Sequence, residues 1–299
     1  MRREALETPD GDELLLDHLD TPVTAAEPLH FILLHGLEGS SYSVYIQGVL
    51  DEVRRLGHAA TALNFRSCAR DPKRRYRMLP NRRPRFYHSG ETGDFDFVLR
   101  TLAARSPHSR FVAFGASLGG NALLKWLGEH PDQQLVRAAA TLSVPYDLAA
   151  GARHLEKTAA GRLYVAQFLR TLKKKTARPD IALLIDLERV LRARTFWEFD
   201  ESATGPLHGF TGADDYYARS SSIRFLDRIT TPVLALNAED DPFIPAEVLL
   251  RAKAAASPAI DFRITRGGGH VGFIGGGAPW RCEYWAEVLA VRWLIEAAR

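Results

Sequence analysis

The chain has 299 residues, of which 46% are hydrophobic and 25% charged, and its formal net charge at pH 7 is +3. These values are typical of one globular α/β domain, and the charge is too small to favour nucleic-acid binding. The two cysteines, Cys68 and Cys282, exclude a disulfide framework and a cysteine-based metal site, and a chain with no apolar run of about 20 residues is not expected to span a membrane. The charged start, Met1 to Glu4, is unlike a secretory signal, so we expect a cytoplasmic protein.

Short strand-like runs alternate with helical patterns along most of the chain. Val49, Leu50 and Val53 have the spacing of one helix face, and Gly57 is a typical helix end. This alternation predicts an α/β fold with a mostly parallel sheet and helices on both faces. In chain order, strands are predicted at 13–17, 30–34, 59–65, 111–114, 138–142, 233–237 and 261–265, and helices near 49–56, 94–104, 122–127 and 283–297.

The segment 146–222 breaks this alternation. It has helical patterns at 163–169, which continue into three lysines at 173–175, and at 181–191, but no clear strand. A helical insertion between two strands is typical of a cap that covers a ligand site. We therefore expect one domain, residues 1–299, with a core at 1–145 and 223–299 and a helical cap at approximately 146–222.

The run from Gly115 to Gly119 lies between a predicted strand and a predicted helix. Its pattern, Gly115-x-Ser117-x-Gly119, is that of a nucleophile elbow, a sharp turn that exposes a serine hydroxyl above the sheet. The string is short, and an ordinary turn is the alternative interpretation. The strand before it and the helix after it favour the elbow, and with it a serine hydrolase.

A nucleophilic serine needs a histidine to take its proton and a carboxylate to orient that histidine. In the order serine, acid, histidine, the acid is expected after a late strand, where Asp240 and Asp241 lie, and the histidine after the last strand, where His270 lies. Both positions follow the carboxyl ends of strands, where open α/β sheets bind ligands. We favour Asp241 because it precedes Pro242, and Asp240 remains the second candidate or a cap of the turn.

An oxyanion hole requires backbone N–H groups that point at the developing negative charge. One is expected from Leu118, the residue after the serine, and the other from Leu37, in the loop after the 30–34 strand. The His35-Gly36 pair that opens this loop has a simpler interpretation as a tight turn. We expect His35 to be structural and to bond to the loop backbone.

Together these residues make the sequence resemble the YheT-like α/β-hydrolases, bacterial relatives of the animal abhydrolase-domain lipid hydrolases. The resemblance implies an α/β-hydrolase fold, a carboxylesterase or lipase-like activity on acyl esters, and Ser117, Asp241 and His270 as nucleophile, acid and base. The family usually has glycine where this chain has Ser67. The blocks that carry the resemblance are HGLEGSS at 35–41, NFRSC at 64–68, YHSG at 87–90, GASLGGN at 115–121, DDYY at 214–217, NAEDDP at 237–242 and GHVGF at 269–273.

The sequence thus predicts a serine hydrolase that cleaves short- to medium-chain or lipid-like acyl esters through an acyl-enzyme, with no cofactor or metal. A thioesterase or amidase with the same triad remains open, as does a non-catalytic binding protein on a hydrolase fold. The expected partner is a small-molecule ester and not a nucleic acid, because the chain has no recognised nucleic-acid-binding motif.

The segment 66–85 has nine Lys or Arg residues and one acid, Asp71. It is either a solvated loop or, together with the lysines at 173–175, a site of peripheral contact with an anionic membrane surface at the inner face. The aromatic residues Phe196, Trp197, Phe199 and Phe210 either pack in the core of the cap or line an acyl pocket. Trp280 and Trp285 are expected to pack near the final helix.

Overall fold

A central eight-stranded sheet organises the protein, whose computed structural model describes residues 1–74, 76–276 and 282–299. Its strand order is β1-β2-β4-β3-β5-β6-β7-β8; β1 and β2 are antiparallel to their neighbours, and the other six are parallel. The predicted α/β class with a mostly parallel sheet is therefore confirmed. The strands are β1 (Arg2–Glu7), β2 (Glu13–His18), β3 (Leu29–Leu34), β4 (Ala59–Asn64), β5 (Arg110–Ala116), β6 (Val136–Leu142), β7 (Val233–Ala238), β8 (Ile260–Thr265) and a separate antiparallel pair, β9 (Ile274–Gly275) and β10 (Glu283–Tyr284).

Each predicted helix has a counterpart in the structure, and two of them differ from the prediction. Five further helices were not predicted individually: Leu148–Lys157, Phe196–Phe199, Gly205–His208, Ala213–Ser220 and Ala246–Ala255. The expected helix at 181–191 is two shorter helices, because the Asp186 side chain accepts a hydrogen bond from the Arg189 N–H at 3.0 Å and so begins a new helix. The final helix begins two residues later than expected, since Glu283 and Tyr284 pair with β9. The helices are α1 (Val44–Arg55), α2 (Gly93–Arg105), α3 (Leu118–Glu129), α4 (Leu148–Lys157), α5 (Ala159–Thr176), α6 (Pro179–Ala182), α7 (Leu187–Arg192), α8 (Phe196–Phe199), α9 (Gly205–His208), α10 (Ala213–Ser220), α11 (Ala246–Ala255) and α12 (Trp285–Ala297).

Both faces of the sheet are covered, which explains why its strands are almost continuously apolar. Phe31 and Leu33 of β3 pack on one face with apolar residues of α1 and α12. Ile32 and Leu34, which point the other way, pack with residues of α2, α3 and α11. The same strand therefore contributes to two separate core layers.

The helices α4 to α10 lie between β6 and β7 in the chain, in the region where the sequence predicted a helical insertion. Leu155, Leu169, Val190 and Phe199 of this insertion belong to the same hydrophobic cluster as Ile32. The insertion therefore packs directly on the sheet domain and shares its core.

Two glycines allow α3 to lie close to the strands that precede it. A Cβ atom at Gly119 would lie 2.5 Å from the carbonyl oxygen of His35 and 2.6 Å from that of Leu34. At Gly115 it would lie 2.7 Å from the carbonyl oxygen of Gly119. These contacts are with backbone, which cannot rotate away, so a larger residue would move the helix off the sheet.

This packing predicts different effects for two glycine-to-alanine changes in helices. Gly119→Ala should lower the free energy of unfolding by about 1–3 kcal/mol, the usual cost of overpacking. Gly151→Ala is the matched control: its nearest neighbour is the Phe243 carbonyl oxygen at 3.6 Å, so it should be neutral or stabilise by up to about 1 kcal/mol through helix propensity. Urea denaturation measures both values, and equal effects would contradict the packing argument.

Candidate active site

Ser117 occupies a strained turn between β5 and α3. Its backbone has φ 52° and ψ −120°, a region that residues with a side chain rarely adopt. The turn is held on both sides: the Ser117 N–H donates to the Leu142 carbonyl at 2.8 Å, and its own carbonyl accepts from the Asn121 N–H at 3.0 Å. Strain that the surrounding structure maintains in this way is common at functional sites.

A continuous line of hydrogen bonds joins Ser117 to His270 and Asp241. The Nε2 atom of His270 lies 2.9 Å from the Ser117 Oγ, and its Nδ1 lies 2.9 Å and 3.1 Å from the two carboxylate oxygens of Asp241. Asp241 is buried and also accepts a hydrogen bond from the Phe243 N–H at 2.8 Å. The Phe243 ring stacks on the imidazole with a centroid distance of 4.2 Å. The structure thus brings the three predicted residues together in one chemically connected group.

The two candidate acids have different positions. Asp241 contacts the imidazole, whereas Asp240 is exposed and accepts a hydrogen bond from the Gly269 N–H at 2.8 Å. Asp240 therefore fixes the loop that carries His270. A second contact, from the Val271 N–H to the Ser143 Oγ at 3.1 Å, fastens this loop to the segment after β6.

The loop after β3 lies directly against the serine. A Cβ atom at Gly36 would lie 3.1 Å from the Ser117 Cβ, a tight contact, so glycine favours this close approach. The N–H groups of Leu37 and Leu118 have no hydrogen-bond acceptor among the described residues. Leu37 and Leu118 line the same cavity as Ser117, and two unpaired N–H groups near a serine hydroxyl are a suitable environment for a negatively charged oxygen.

His35 stabilises this loop from beneath. Its Nε2 accepts a hydrogen bond from the Phe65 N–H at 3.1 Å, which leaves Nδ1 as the donor to the Gly36 carbonyl at 2.7 Å. Burial lowers the pKa of His35 to about 3, so the ring remains neutral and keeps this pattern at neutral pH. The expected bond from His35 to the loop backbone is present.

A buried ion pair ties the helical insertion to the same loop. Glu38, with φ 55°, accepts hydrogen bonds from the Lys175 Nζ and, at 3.0 Å, from the Tyr87 OH. The Lys175 Nζ also lies 3.3 Å from the Cys68 Sγ. The expectation that Lys175 belongs to a basic surface is wrong for this residue, because it is buried.

The sequence did contain a signal for the burial of Lys175. Val165, Leu169 and Leu172 are the buried positions of α5, and the same three-and-four spacing continues to 175 and 176. The run of three lysines concealed this periodicity.

A cavity of about 260 Å³ opens beside the serine and the histidine. Its wall is mainly apolar and comes from both the sheet domain and the insertion. Phe196 and Phe199 line it, whereas Trp197 packs against Tyr217 at 5.1 Å and Phe210 against Tyr216 at 5.3 Å. These four aromatic residues are therefore divided between pocket lining and internal packing.

Of the two tryptophans predicted to pack near the final helix, only Trp285 lies in the described part of the chain. Trp285 packs edge-on against Phe273 at 5.4 Å, as expected. Trp280 lies outside the described residues.

The first cation of the basic segment is a buried structural residue. Arg66 binds both carboxylate oxygens of Asp94, at 2.8 Å and 2.7 Å, and also binds Asp12 at 2.7 Å and Asp10 at 3.0 Å. Its assignment to a possible surface patch is therefore wrong, since 4% of its side chain is exposed. The next residue, Ser67, has φ 63°, the conformation that favours glycine, which accounts for the family's glycine here.

Arg70 is partly buried and donates to the backbone carbonyls of Tyr76 at 3.4 Å and Glu38 at 3.5 Å. The other described cations of this segment fall into two groups. Arg82 and Arg85 pair with Glu13 at 2.9 Å and Glu91 at 2.5 Å. A second group is exposed and has no ion pair with another described residue; it comprises Lys73, Arg74, Arg77 and Arg83. Arg75 is not among the described residues.

The described part of the chain has neither a membrane-spanning helix nor a cluster of metal ligands. None of its helices combines the length and the apolar character needed to cross a bilayer. No three or more of its His, Cys, Asp and Glu side chains are grouped so that they could hold a metal ion.

Comparisons with known proteins show the family and the fold of the chain. A family model described as the alpha/beta hydrolase fold matches residues 30–277. The chain is 36% identical to "Putative esterase YheT" of Escherichia coli (strain K12), over 97% of this chain and 84% of that protein. It is 32% identical to phospholipase ABHD3 of Mus musculus, over 96% of this chain and 70% of that protein. The solved esterase Pf2001 of Pyrococcus furiosus shares the fold with a TM-score of 0.58 at 14% identity, over 91% of this chain and 85% of that one.

The Glu38–Lys175 pair predicts a large loss of stability when one partner is removed. Lys175→Met leaves a buried carboxylate without its cation and should lower the free energy of unfolding by about 3–5 kcal/mol. Lys174→Met is the matched control, because Lys174 is the exposed neighbour and its loss should change stability by no more than about 0.5 kcal/mol. Urea denaturation distinguishes the two, and a Lys175→Met protein as stable as the control would refute a stabilising role for the pair.

Proposed function

Because this chain belongs to the YheT-like branch of the α/β-hydrolase fold family and is a carboxylic ester hydrolase, we propose that Ser117, His270 and Asp241 are its catalytic triad. The observation that carries this proposal is the line of hydrogen bonds from Asp241 through His270 to Ser117, with its two shortest contacts at 2.9 Å. A buried carboxylate in this position selects the tautomer in which Nε2 can accept the serine proton, and it stabilises the imidazolium that results.

The proposed reaction has two halves. His270 Nε2 takes the proton of Ser117, whose Oγ forms a bond to the ester carbonyl carbon. The carbonyl oxygen of the ester becomes negatively charged and accepts hydrogen bonds from the N–H groups of Leu37 and Leu118. The C–O bond to the alcohol then breaks, and the alcohol leaves with the proton from His270.

Water completes the cycle by the same route. His270 takes one proton from a water molecule, and the oxygen of that water attacks the acyl carbon. The bond between the acyl carbon and the Ser117 Oγ then breaks, and the Oγ regains a proton from His270. The products are the carboxylic acid and free enzyme. In each step of this reaction a residue of this chain transfers the proton or stabilises the charge, so we propose a mechanism without a cofactor or metal.

We propose that the helical insertion, approximately residues 146–222, is a cap on the sheet domain and forms part of the substrate pocket. Support comes from Phe196 and Phe199, which line the cavity together with Ser117 and His270. An apolar cavity of about 260 Å³ suits short- to medium-chain or lipid-like acyl esters, because burial of each CH₂ group contributes about 0.8 kcal/mol.

The triad predicts complete dependence on one serine. Ser117→Ala should abolish labelling by a fluorophosphonate probe and lower kcat for p-nitrophenyl esters by at least about 1,000-fold, because only the oxyanion hole and substrate binding remain. Ser106→Ala, a change at an exposed serine on the end of α2, should label and turn over like the wild type. Wild-type turnover by Ser117→Ala would exclude the mechanism.

We also propose that the cap edge contacts an anionic membrane surface. Arg178 donates a hydrogen bond to the Asn81 carbonyl at 2.9 Å, so the start of α6 lies beside the basic segment. Exposed apolar side chains occur on both sides of this contact: Tyr76 is 81% exposed and Leu183 87%. Apolar tips beside unpaired cations favour an anionic bilayer, at about 1 kcal/mol for each basic residue near the surface.

This contact predicts a dependence on lipid charge. The double variant Arg74→Glu, Arg77→Glu should bind vesicles that contain anionic lipid at least about tenfold more weakly than the wild type, as loss of two favourable charges implies. The control is Arg137→Glu, Lys253→Glu, which reverses two exposed charges elsewhere and should bind like the wild type. Co-sedimentation of the wild type that does not change with anionic lipid content would contradict the proposal.

A further inference from the structure

One carboxylate in the cap has no part in the proposed mechanism. Asp200 opens a π-helical turn, Asp200–Thr204, between α8 and α9. One of its carboxylate oxygens accepts a hydrogen bond from the Thr204 hydroxyl at 2.6 Å, and the other accepts one from the Tyr217 hydroxyl at 2.6 Å. Single π-helical turns within helices are rare in proteins, and those that occur are often found at functional sites.

This carboxylate belongs to the wall of the catalytic pocket. Asp200 and both of its hydroxyl partners, Thr204 and Tyr217, line the same cavity as Ser117 and His270. Asp200 is the one acidic residue among the described residues that border this cavity. Its neighbours in the wall are mainly apolar, so an anionic group here is a marked exception.

No cation in the described part of the chain forms an ion pair with Asp200. Within the described ranges, no Lys, Arg or His nitrogen lies within ion-pair distance of its carboxylate, unlike Arg66 or Lys175 with their acids. Burial raises the pKa of Asp200 to about 6, against the opposite effects of the Thr204 and Tyr217 hydroxyls. Asp200 is partly buried, and a charge withdrawn from water without a counter-ion is unfavourable, so a pocket occupant that donates a hydrogen bond to it is stabilised.

The hydrogen-bonding capacity of Asp200 is only partly used. A carboxylate has about four acceptor positions, and the two protein hydroxyls occupy two of them. Ligand pockets are commonly apolar with a few polar groups that set orientation and specificity. A carboxylate with free acceptor positions on such a wall is suited to recognise a donor on the substrate.

We propose that Asp200 is a specificity-determining residue that accepts a hydrogen bond from a hydroxyl or ammonium group on the ester. The preferred substrates are therefore acyl esters that carry a second, hydrogen-bond-donating group, such as partial esters of polyols. This inference rests on the proposed function, because it places the donor group in the pocket of Ser117.

The test is a set of esters that differ only in the donor. Butyl hexanoate is the reference. The three donor esters are 4-hydroxybutyl hexanoate, with the hydroxyl on the alcohol, butyl 6-hydroxyhexanoate, with the hydroxyl on the acyl chain, and butyl 6-aminohexanoate, with an ammonium. A hydrogen bond to a charged group contributes about 1.5–3 kcal/mol, so kcat/KM for at least one donor ester should exceed the reference by roughly tenfold to 100-fold. Comparison of the three donor esters shows which donor group Asp200 recognises and whether that group lies on the alcohol or on the acyl chain.

Two variants separate recognition from a structural role. Asp200→Asn should reduce the selectivity ratio, donor ester over reference, to within about threefold of unity. Tyr217→Phe removes a protein hydroxyl that binds Asp200 but keeps the carboxylate, so its selectivity ratio should stay close to the wild-type value. A wild-type ratio near unity for all three donor esters, an unchanged ratio in Asp200→Asn, or an equal loss in both variants would each overturn the proposal.

Fluorophosphonate labelling keeps this test apart from that of the triad. If Ser117 is the nucleophile, the wild type labels whatever its preference among esters. Failure to label would count against the proposed function itself. Normal labelling with no donor preference would count against Asp200 alone.

Discussion

The close approach of α3 to the sheet is the constraint on which the site depends. Gly119 lies against the carbonyl groups of Leu34 and His35, and Gly115 lies against Gly119. This contact places the strained turn at Ser117 above the sheet and brings the loop of Leu37 beside it, because that loop begins at His35. The position of the proposed nucleophile and that of the proposed oxyanion hole therefore come from one packing contact.

The helical insertion is attached to the site through polar as well as apolar contacts. Lys175 reaches from α5 to Glu38, the residue after Leu37, and the pair is enclosed with Tyr87 and Cys68. An apolar contact could slide, whereas a buried ion pair has one favourable geometry. The insertion, which we propose as the cap, is thus fastened to the loop that carries the proposed oxyanion-hole residue Leu37.

Charged residues in this protein have three distinct environments that composition does not separate. Arg66 is buried among three carboxylates, and its charge stabilises the fold. Arg74 and Arg77 are exposed and available to a partner. Asp200 is enclosed without a counter-ion at the pocket wall, where its charge is available to a ligand.

The sequence by itself determined the order of strands and helices and the candidates Ser117, Asp241 and His270, because these signals are local. Strand and helix periodicities, the glycines around Ser117 and the position of each residue after a strand can all be read within a few residues. The sequence did not indicate β1, whose charged residues pair with β2 at the edge of the sheet. It also did not separate Asp241 from Asp240 by contact, although it favoured the former.

Only the tertiary structure decided which charges are buried and which partners they have. Lys175 and Glu38 are 137 residues apart in the chain, and Arg66 and Asp12 are 54 apart. The same holds for the 153 residues between His270 and Ser117, whose 2.9 Å contact no local pattern could specify. A basic run has the same appearance in sequence whether its members are exposed or buried, since burial depends on segments that meet only after the chain folds. The surroundings of Asp200 have this origin too, because its partner Tyr217 lies 17 residues away in α10 and the cavity that it borders also includes residues of the sheet domain.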